Sequence, residues 1–139
     1  MMISALSRYP KTLLAWTFVS ILIMVTHLLL PRTLALDVTA LLLSVIAAVY
    51  VGFALADGRA LVIAQEVSVA IFFVLLAALG LWVNPYLWVL GLVLHAVWDW
   101  LHHVEVVGTR VPSYYPPACV LVDLLLAVFL AVWLRFQMF

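Results

Sequence analysis

The chain has 139 residues, of which 70% are hydrophobic and 9% are charged, and its mean hydropathy is +1.34. A soluble domain has about 45–50% apolar and about 25% charged residues, so this composition predicts an integral membrane protein. The formal net charge is zero and lysine and arginine form no run, which excludes a nucleic-acid-binding protein. The single cysteine, Cys119, excludes an intrachain disulfide and a C-x-x-C redox pair.

The apolar segments predict five membrane-spanning helices in a single transmembrane domain that covers residues 1–139. Each segment is long enough to cross a hydrocarbon core of about 30 Å, and short segments with proline, glycine or charged residues separate them. The first segment lacks a small-residue cleavage site, so we expect it to span the membrane. The fold class is therefore an all-α bundle of five transmembrane helices. The predicted spans are residues 12–30, 34–56, 60–83, 86–103 and 118–136.

The distribution of basic residues predicts the orientation of this bundle. The N-terminal segment and the loops on its side of the membrane hold four basic residues, and the opposite side holds two. Because cytoplasmic segments carry the excess of lysine and arginine, we expect a cytoplasmic N-terminus in the cell (inner) membrane. Tryptophan and tyrosine residues, Trp88 and Trp98 among them, are typical of the aromatic belts at the interfaces. The basic residues are Arg8, Lys11, Arg59 and Arg110 on one side and Arg32 and Arg135 on the other.

Residues 94–103, L-H-A-V-W-D-W-L-H-H, put four ionisable side chains at the end of the fourth span. On a helix, His95, Asp99 and His102 fall within about 60° of one another, and His103 lies about 40° further round. One face of one helix therefore presents three imidazoles and a carboxylate. Ionisable groups inside a membrane are costly and mark candidate functional sites.

Two further acids are predicted at a similar depth. Glu66 lies about 9 Å inside the third span and Asp99 about 6 Å inside the fourth, and Asp123 lies close to the depth of Glu66 in the fifth. Because adjacent helices alternate in direction, the three acids should form one layer near one face of the membrane. Small residues on the same helix faces indicate that these faces point into the bundle. They are Ala70 and Ala77 beside Glu66, and Cys119 and Ala127 beside Asp123.

A layer of carboxylates and imidazoles needs charge compensation, and a divalent metal would supply it. Imidazole nitrogens and carboxylate oxygens suit Zn²⁺ or non-haem iron, and the i, i+4 spacing on the fourth span lets adjacent turns offer ligands to one ion. Glu66 is predicted as the general base or a further ligand, and His102 as a proton shuttle. The predicted metal ligands are His95, Asp99, His103 and Asp123, with Glu66 as the additional candidate.

These residues favour a metal-dependent membrane hydrolase that acts on a lipid or another apolar substrate, with oxidation at an iron site as a variant. Two alternatives stay open. The first is a membrane subunit that translocates protons or a metal, or binds an ion, through directly paired histidines and acids. The second is a structural membrane protein in which the same pairs form a buried hydrogen-bond network. The opposite half of the bundle offers only His27 and Asp37, which argues against a continuous polar path. Membrane lipids are the expected partners, and the sequence is compatible with an oligomer.

Residues 91–130 contain G-L-V-L-H-A-V-W-D-W-L-H-H and then V-P-S-Y-Y-P-P-A-C-V-L-V-D. This segment resembles a family of small multi-span membrane proteins of unknown function that share H-x-x-W-D-x-x-H-H, a V-P loop and a helix with C-x-x-x-D. The resemblance implies that the ionisable cluster is a family feature, and it implies no activity. The matching positions are His95, Trp98, Asp99, His102, His103, Val111, Pro112, Cys119 and Asp123.

Overall fold

The computed structural model describes residues 9–137, and this part of the chain forms five α-helices and no strand. The predicted all-α, five-helix architecture is therefore confirmed. The helix bounds agree with the predicted spans to within two residues, except at the start of the fifth helix. The helices are α1 (Pro10–Leu29), α2 (Arg32–Asp57), α3 (Ala60–Trp82), α4 (Tyr86–His103) and α5 (Tyr115–Gln137).

The start of α5 lies three residues before the predicted span because its prolines belong to the first helical turn. Tyr115 begins the helix, and its backbone N–H donates to the carbonyl oxygen of Pro112 at 2.9 Å. Pro116 and Pro117 follow at once and are buried. Proline suits this turn because an N–H group there has no partner within the helix, and because the ring already sets a helical φ.

Two connections, one short and one long, control how the helices meet. Gly58 ends α2 with φ +79° and donates its N–H to the carbonyl oxygen of Ala54 at 3.0 Å. This left-handed conformation favours glycine and lets α3 begin two residues later. A longer connection, residues 104–114, joins α4 to α5 and is called the α4–α5 loop below. Glu105 in this loop also has a positive φ, 58°, although it is not glycine.

The helices pack as two neighbouring pairs, α2 with α3 and α4 with α5, and α4 also contacts α2 and α3. The helix α1 lies against α5. Trp88 of α4 sits in the core with none of its surface exposed, and its indole N–H donates to the carbonyl oxygen of Ala77 at 2.8 Å. Gly80 of α3 leaves the space that this indole ring fills. Trp88 is thus a core residue, and its assignment to an aromatic belt was wrong.

The helix faces predicted to point inward do so. Glu66, Ala70 and Ala77 are buried on α3, and Asp123 and Ala127 are buried on α5, while Cys119 is half-buried. Because the small side chains take little space, neighbouring helices can approach the two acids closely.

The outer surface of the bundle is apolar. Leu14, Leu61 and Phe136 have 76%, 87% and 78% of their surface exposed, and many other large aliphatic side chains also face outward. Buried acids and exposed apolar side chains reverse the pattern of a soluble protein. Four helices, α1, α2, α3 and α5, are long and apolar enough to cross a membrane. The helix α4 is not one of them, because its histidines and aspartate lower its hydropathy.

Candidate metal centre

Three buried side chains from α4 and α5 converge on one point. His95 Nδ1 lies 2.7 Å from Asp123 Oδ2 and 3.4 Å from Asp99 Oδ2. One ligand atom from each residue lies within 4.8 Å of the others, and the three residues together are called the trio below. The i, i+4 spacing puts His95 and Asp99 on one face of α4, and the packing of α5 against that face supplies Asp123.

Tyr50 of α2 orients the trio. Its hydroxyl donates to Asp99 Oδ1 at 2.6 Å, and the residue is almost fully buried. Within the described residues, Asp99 Oδ2 and His95 Nε2 are buried without a hydrogen-bond partner. Buried polar atoms are rarely unpaired, and an unpaired carboxylate oxygen is especially costly. One oxygen of Asp99 is therefore held by Tyr50, while the other is available to a ligand beside His95.

The donor set fits a divalent cation. No lysine or arginine among the described residues forms an ion pair with the trio, so its two carboxylates lack a permanent counter-charge. One divalent ion would balance both carboxylates and leave the imidazole neutral. The 3.4 Å between His95 Nδ1 and Asp99 Oδ2 matches the about 3.4 Å that separates two ligands on a tetrahedral ion with bonds of about 2.1 Å. The 2.7 Å between His95 Nδ1 and Asp123 Oδ2 is shorter, so an ion would require these two groups to move apart. Nitrogen and oxygen donors of these types bind Zn²⁺ and iron.

Glu66 lies in a second buried cluster that also contains His102, Trp98 and Thr109. Its Oε1 accepts from the Thr109 hydroxyl and lies 3.0 Å from His102 Nε2, and its Oε2 accepts from the Trp98 indole N–H at 3.2 Å. Both oxygens of Glu66 are thus already partnered. The structure brings together four polar side chains here, but it does not bring Glu66 into the trio.

The hydrogen bonds of His102 show that it shares a proton with Glu66. His102 Nδ1 lies 2.9 Å from the carbonyl oxygen of Trp98, which can only accept, so Nδ1 carries a hydrogen. His102 Nε2 faces the Glu66 carboxyl group, and a hydrogen bond between them requires one proton, on either the imidazole or the carboxyl group. The pair is neutral overall in both cases.

Tyr50 joins the two clusters. Its ring stacks on the His102 ring with centroids 3.9 Å apart, while its hydroxyl binds Asp99. Sequence reasoning did not place Tyr50 or Thr109 in the site, and it assigned Trp98 to an aromatic belt. For Tyr50 a signal exists, because a tyrosine hydroxyl well inside an apolar span requires a buried partner. Thr109 lies in a loop and gives no such signal.

A known protein family matches the part of the chain that forms the helices and both clusters. The family described as "Family of unknown function (DUF6010)" matches residues 11–135. The chain belongs to the DUF6010 family. This agrees with the expected resemblance to a family of unknown function, while the shared motif stays a prediction. No curated protein and no solved structure matches the chain.

His103 of this DUF6010 protein lies outside both clusters. Its ring is half-buried beside Trp100, with centroids 5.3 Å apart. It lines an open cavity of about 580 Å³, called the loop cavity below, between the end of α4 and the α4–α5 loop. Of the five predicted ligands, the structure therefore brings together His95, Asp99 and Asp123, and it does not bring His103 or Glu66 to them.

The α2–α3 turn holds the α4–α5 loop of the DUF6010 protein over Glu66. Arg59 donates to Asp57 from Nε at 2.7 Å and from Nη2 at 2.5 Å, and Nη2 also donates to the carbonyl oxygen of Gly108. The backbone N–H of Arg110 donates to Asp57 Oδ2 at 3.3 Å. The Asp57 carboxylate raises the pKa of the Arg59 guanidinium. These contacts fix the loop so that Thr109 reaches Glu66.

Proposed function

We propose that this DUF6010 protein is an integral membrane metalloenzyme in which His95, Asp99 and Asp123 hold a divalent ion, zinc or iron. Its reaction is the hydrolysis of a lipid or another apolar substrate. The observation that supports the proposal is the convergence of three buried residues whose ligand atoms lie within 4.8 Å of one another. One of them, Asp99, has a carboxylate oxygen to which no group donates a hydrogen bond. The apolar outer surface supports a membrane location and a substrate that enters from the lipid phase.

The protein residues around the trio suit hydrolysis. A divalent ion would supply Lewis-acid activation of water near neutral pH. His102 lines the loop cavity and shares one proton with Glu66. We assign proton exchange with the reaction to this pair, and the exchange requires one of its present hydrogen bonds to open. Tyr50 keeps Asp99 in one orientation through its 2.6 Å hydrogen bond. Thr109 and Trp98 do the same for Glu66.

The direct contact between His95 and Asp123 favours a second candidate. At 2.7 Å it is a good hydrogen bond without any ion, so the trio can also be the centre of a structural hydrogen-bond network. That reading leaves the donor-free oxygen of Asp99 unexplained. The metal proposal gives this oxygen a partner and is preferred for this reason.

Elemental analysis and lipid hydrolysis by the same purified sample test the proposal. We expect about one zinc or iron per chain, and release of water-soluble or fatty-acid products from phospholipid micelles. Stripping the metal with a strong chelator should reduce the rate at least tenfold, and the metal found in the native protein should restore it. Protein that contains no stoichiometric metal contradicts the metalloenzyme. Metal-containing protein that hydrolyses neither phospholipids nor simple esters contradicts the hydrolytic reaction alone.

We infer that all five helices cross the membrane and that the N-terminus is cytoplasmic. The contacts of Arg59 with Gly108 support this topology, because they join the α2–α3 turn to the α4–α5 loop at one end of the bundle. The helix α3 leaves this end and α4 returns to it, so α4 runs the length of the bundle despite its lower hydropathy. The excess of basic residues at this end supports a cytoplasmic location.

Reporter fusions test this topology. Reporters at the N-terminus and within residues 104–114 should both be cytoplasmic, and a reporter at the C-terminus should be external. If α4 does not cross the membrane, the N-terminal and loop reporters will lie on opposite sides. That result would contradict the five-span topology.

A further inference from the structure

The loop cavity lies at the level expected for lipid headgroups. Tyr9 and Tyr114 meet beside it, with ring centroids 6.3 Å apart, and the Tyr9 hydroxyl is 2.8 Å from Ser113 Oγ, which lines the cavity. Tyrosines of this kind are typical of the boundary between hydrocarbon and water. The cavity also lies beside the α2–α3 turn, where the apolar outer faces of α2 and α3 meet the end of the bundle. A lipid whose chains follow those faces would bring its headgroup to this opening.

The walls of the loop cavity carry opposite charges, and the positive one, on Arg110, also acts through space on the Asp57 carboxylate. Arg110 and Glu105 both line it. Among the described residues, neither side chain takes part in a hydrogen bond or an ion pair, and the two do not pair with each other. The pair of His102 and Glu66 contributes no net charge. The cavity therefore offers one separate positive group and one separate negative group.

The backbone of Glu105 indicates that its side chain has a role. Its φ of 58° lies in the left-handed region, which a residue with a side chain adopts at a cost. Its N–H donates to the carbonyl oxygen of His102 at 3.2 Å, so it occupies the position after the helix that glycine usually fills. Glycine would stabilise this turn, yet the chain has a carboxylate there, facing a cavity. Such an outlier at a cavity points to a function.

We propose that the loop cavity binds the headgroup of a zwitterionic phospholipid, with the phosphate on Arg110 and the ammonium group on Glu105. A guanidinium group binds phosphate oxygens through two parallel hydrogen bonds, and a carboxylate accepts hydrogen bonds from a primary ammonium group. Ser113 and His103 line the same space and can donate to the remaining phosphate oxygens. An anionic headgroup without an amine would leave Glu105 uncompensated, which favours phosphatidylethanolamine over phosphatidylglycerol.

Binding at the loop cavity does not depend on the metal. That the bound lipid is also the substrate rests on the proposed function, since Glu66 and His102 lie next to the cavity and Tyr50 connects His102 to the trio. A headgroup held here would place the phosphate and glycerol esters of the lipid near the proton-sharing pair. The substrate class that follows is a phospholipid that carries an amine.

Titration of detergent-solubilised full-length protein with short-chain lipids tests the site. We expect phosphatidylethanolamine to bind at least tenfold more tightly than phosphatidylglycerol. Arg110→Gln should weaken the binding of phosphatidylethanolamine about tenfold, and Glu105→Gln should remove the preference between the two lipids. Glu105→Gly should also remove the preference without lowering the melting temperature, which separates recognition from folding. Arg32→Gln, at the opposite end of the bundle, should leave both affinities unchanged.

Equal affinities of the wild-type protein for the two lipids would overturn the proposal, and so would a preference that survives Glu105→Gln. Soluble phosphoethanolamine carries the same two charged groups as the lipid headgroup. If it binds as tightly as the lipid, the assignment of the site to a membrane lipid is overturned. Metal content is measured on the same samples. A preference for phosphatidylethanolamine in protein without metal supports this headgroup site while contradicting the metalloenzyme. Metal-containing protein without the preference supports the metalloenzyme while contradicting this headgroup site.

Discussion

Replacing Asp99 with asparagine is expected to reduce the metal content of the purified protein at least tenfold. The change removes one of the two negative charges of the trio and keeps the size of the side chain. The amide oxygen can still accept the hydrogen bond from Tyr50, so the local packing should survive. The amide NH₂ group cannot bind a cation. Elemental analysis after a wash with a mild chelator measures the effect.

Asp37→Asn is the matched control, because it makes the same chemical change at an exposed residue of α2, away from the trio. This variant should keep the metal content of the wild-type protein. Asp123→Asn should behave like Asp99→Asn, because Asp123 provides the other carboxylate of the trio. A bare hydrogen-bond network predicts a different pattern, with no metal in any of the proteins and Asp99→Asn tolerated. Equal metal content in the Asp99 and Asp37 variants would exclude Asp99 as a ligand.

Replacing Gly80 with alanine is expected to destabilise the bundle by about 1–3 kcal/mol, the range for overpacked cores. A Cβ atom at Gly80 would overlap the indole ring of Trp88. The rigid ring cannot move aside easily, because Trp88 is completely buried and its N–H donates to Ala77. A shift of the ring would break this hydrogen bond and leave the buried indole N–H of Trp88 without an acceptor. Thermal unfolding of the purified protein in detergent measures the loss.

Gly52→Ala is the control for helix propensity. Gly52 lies in the interior of α2, and a Cβ atom there would meet no heavy atom within 4 Å. Alanine should therefore stabilise this helix by about 0.5–1 kcal/mol, because it loses less conformational freedom on folding than glycine does. The two glycine replacements should thus have opposite signs. Destabilisation of equal size at both positions would contradict the close fit between Gly80 and Trp88.

The sequence by itself determined the helices and the depth of the ionisable groups. Long apolar segments can form only helices in lipid, since every backbone group must find a partner within the segment, and prolines, glycines and charges mark where they end. Helical periodicity put His95 and Asp99 on one face, and the small residues beside Glu66 and Asp123 indicated which faces point inward. These properties depend on short-range geometry, so they can be read from residue spacing.

Only the tertiary structure decided which groups at one depth become partners. Depth along a helix follows from counting residues, but the lateral position of each side chain depends on how the helices rotate and pack. That packing pairs His95 with Asp123 and His102 with Glu66, so the single predicted layer divides into two clusters. It also brings Tyr50 to Asp99 across a sequence separation of 49 residues.

The α4–α5 loop shows the same limit of sequence reasoning. Its polar residues are compatible with a solvated connection, yet Thr109 is buried against Glu66 and Arg59 binds the carbonyl oxygen of Gly108. Trp88 likewise has the composition of an interfacial residue, but it fills the space beside Gly80 in the core. In each case the partner lies on another element of the fold. Such contacts depend on the packed arrangement of all the helices, which residue spacing within one segment does not contain.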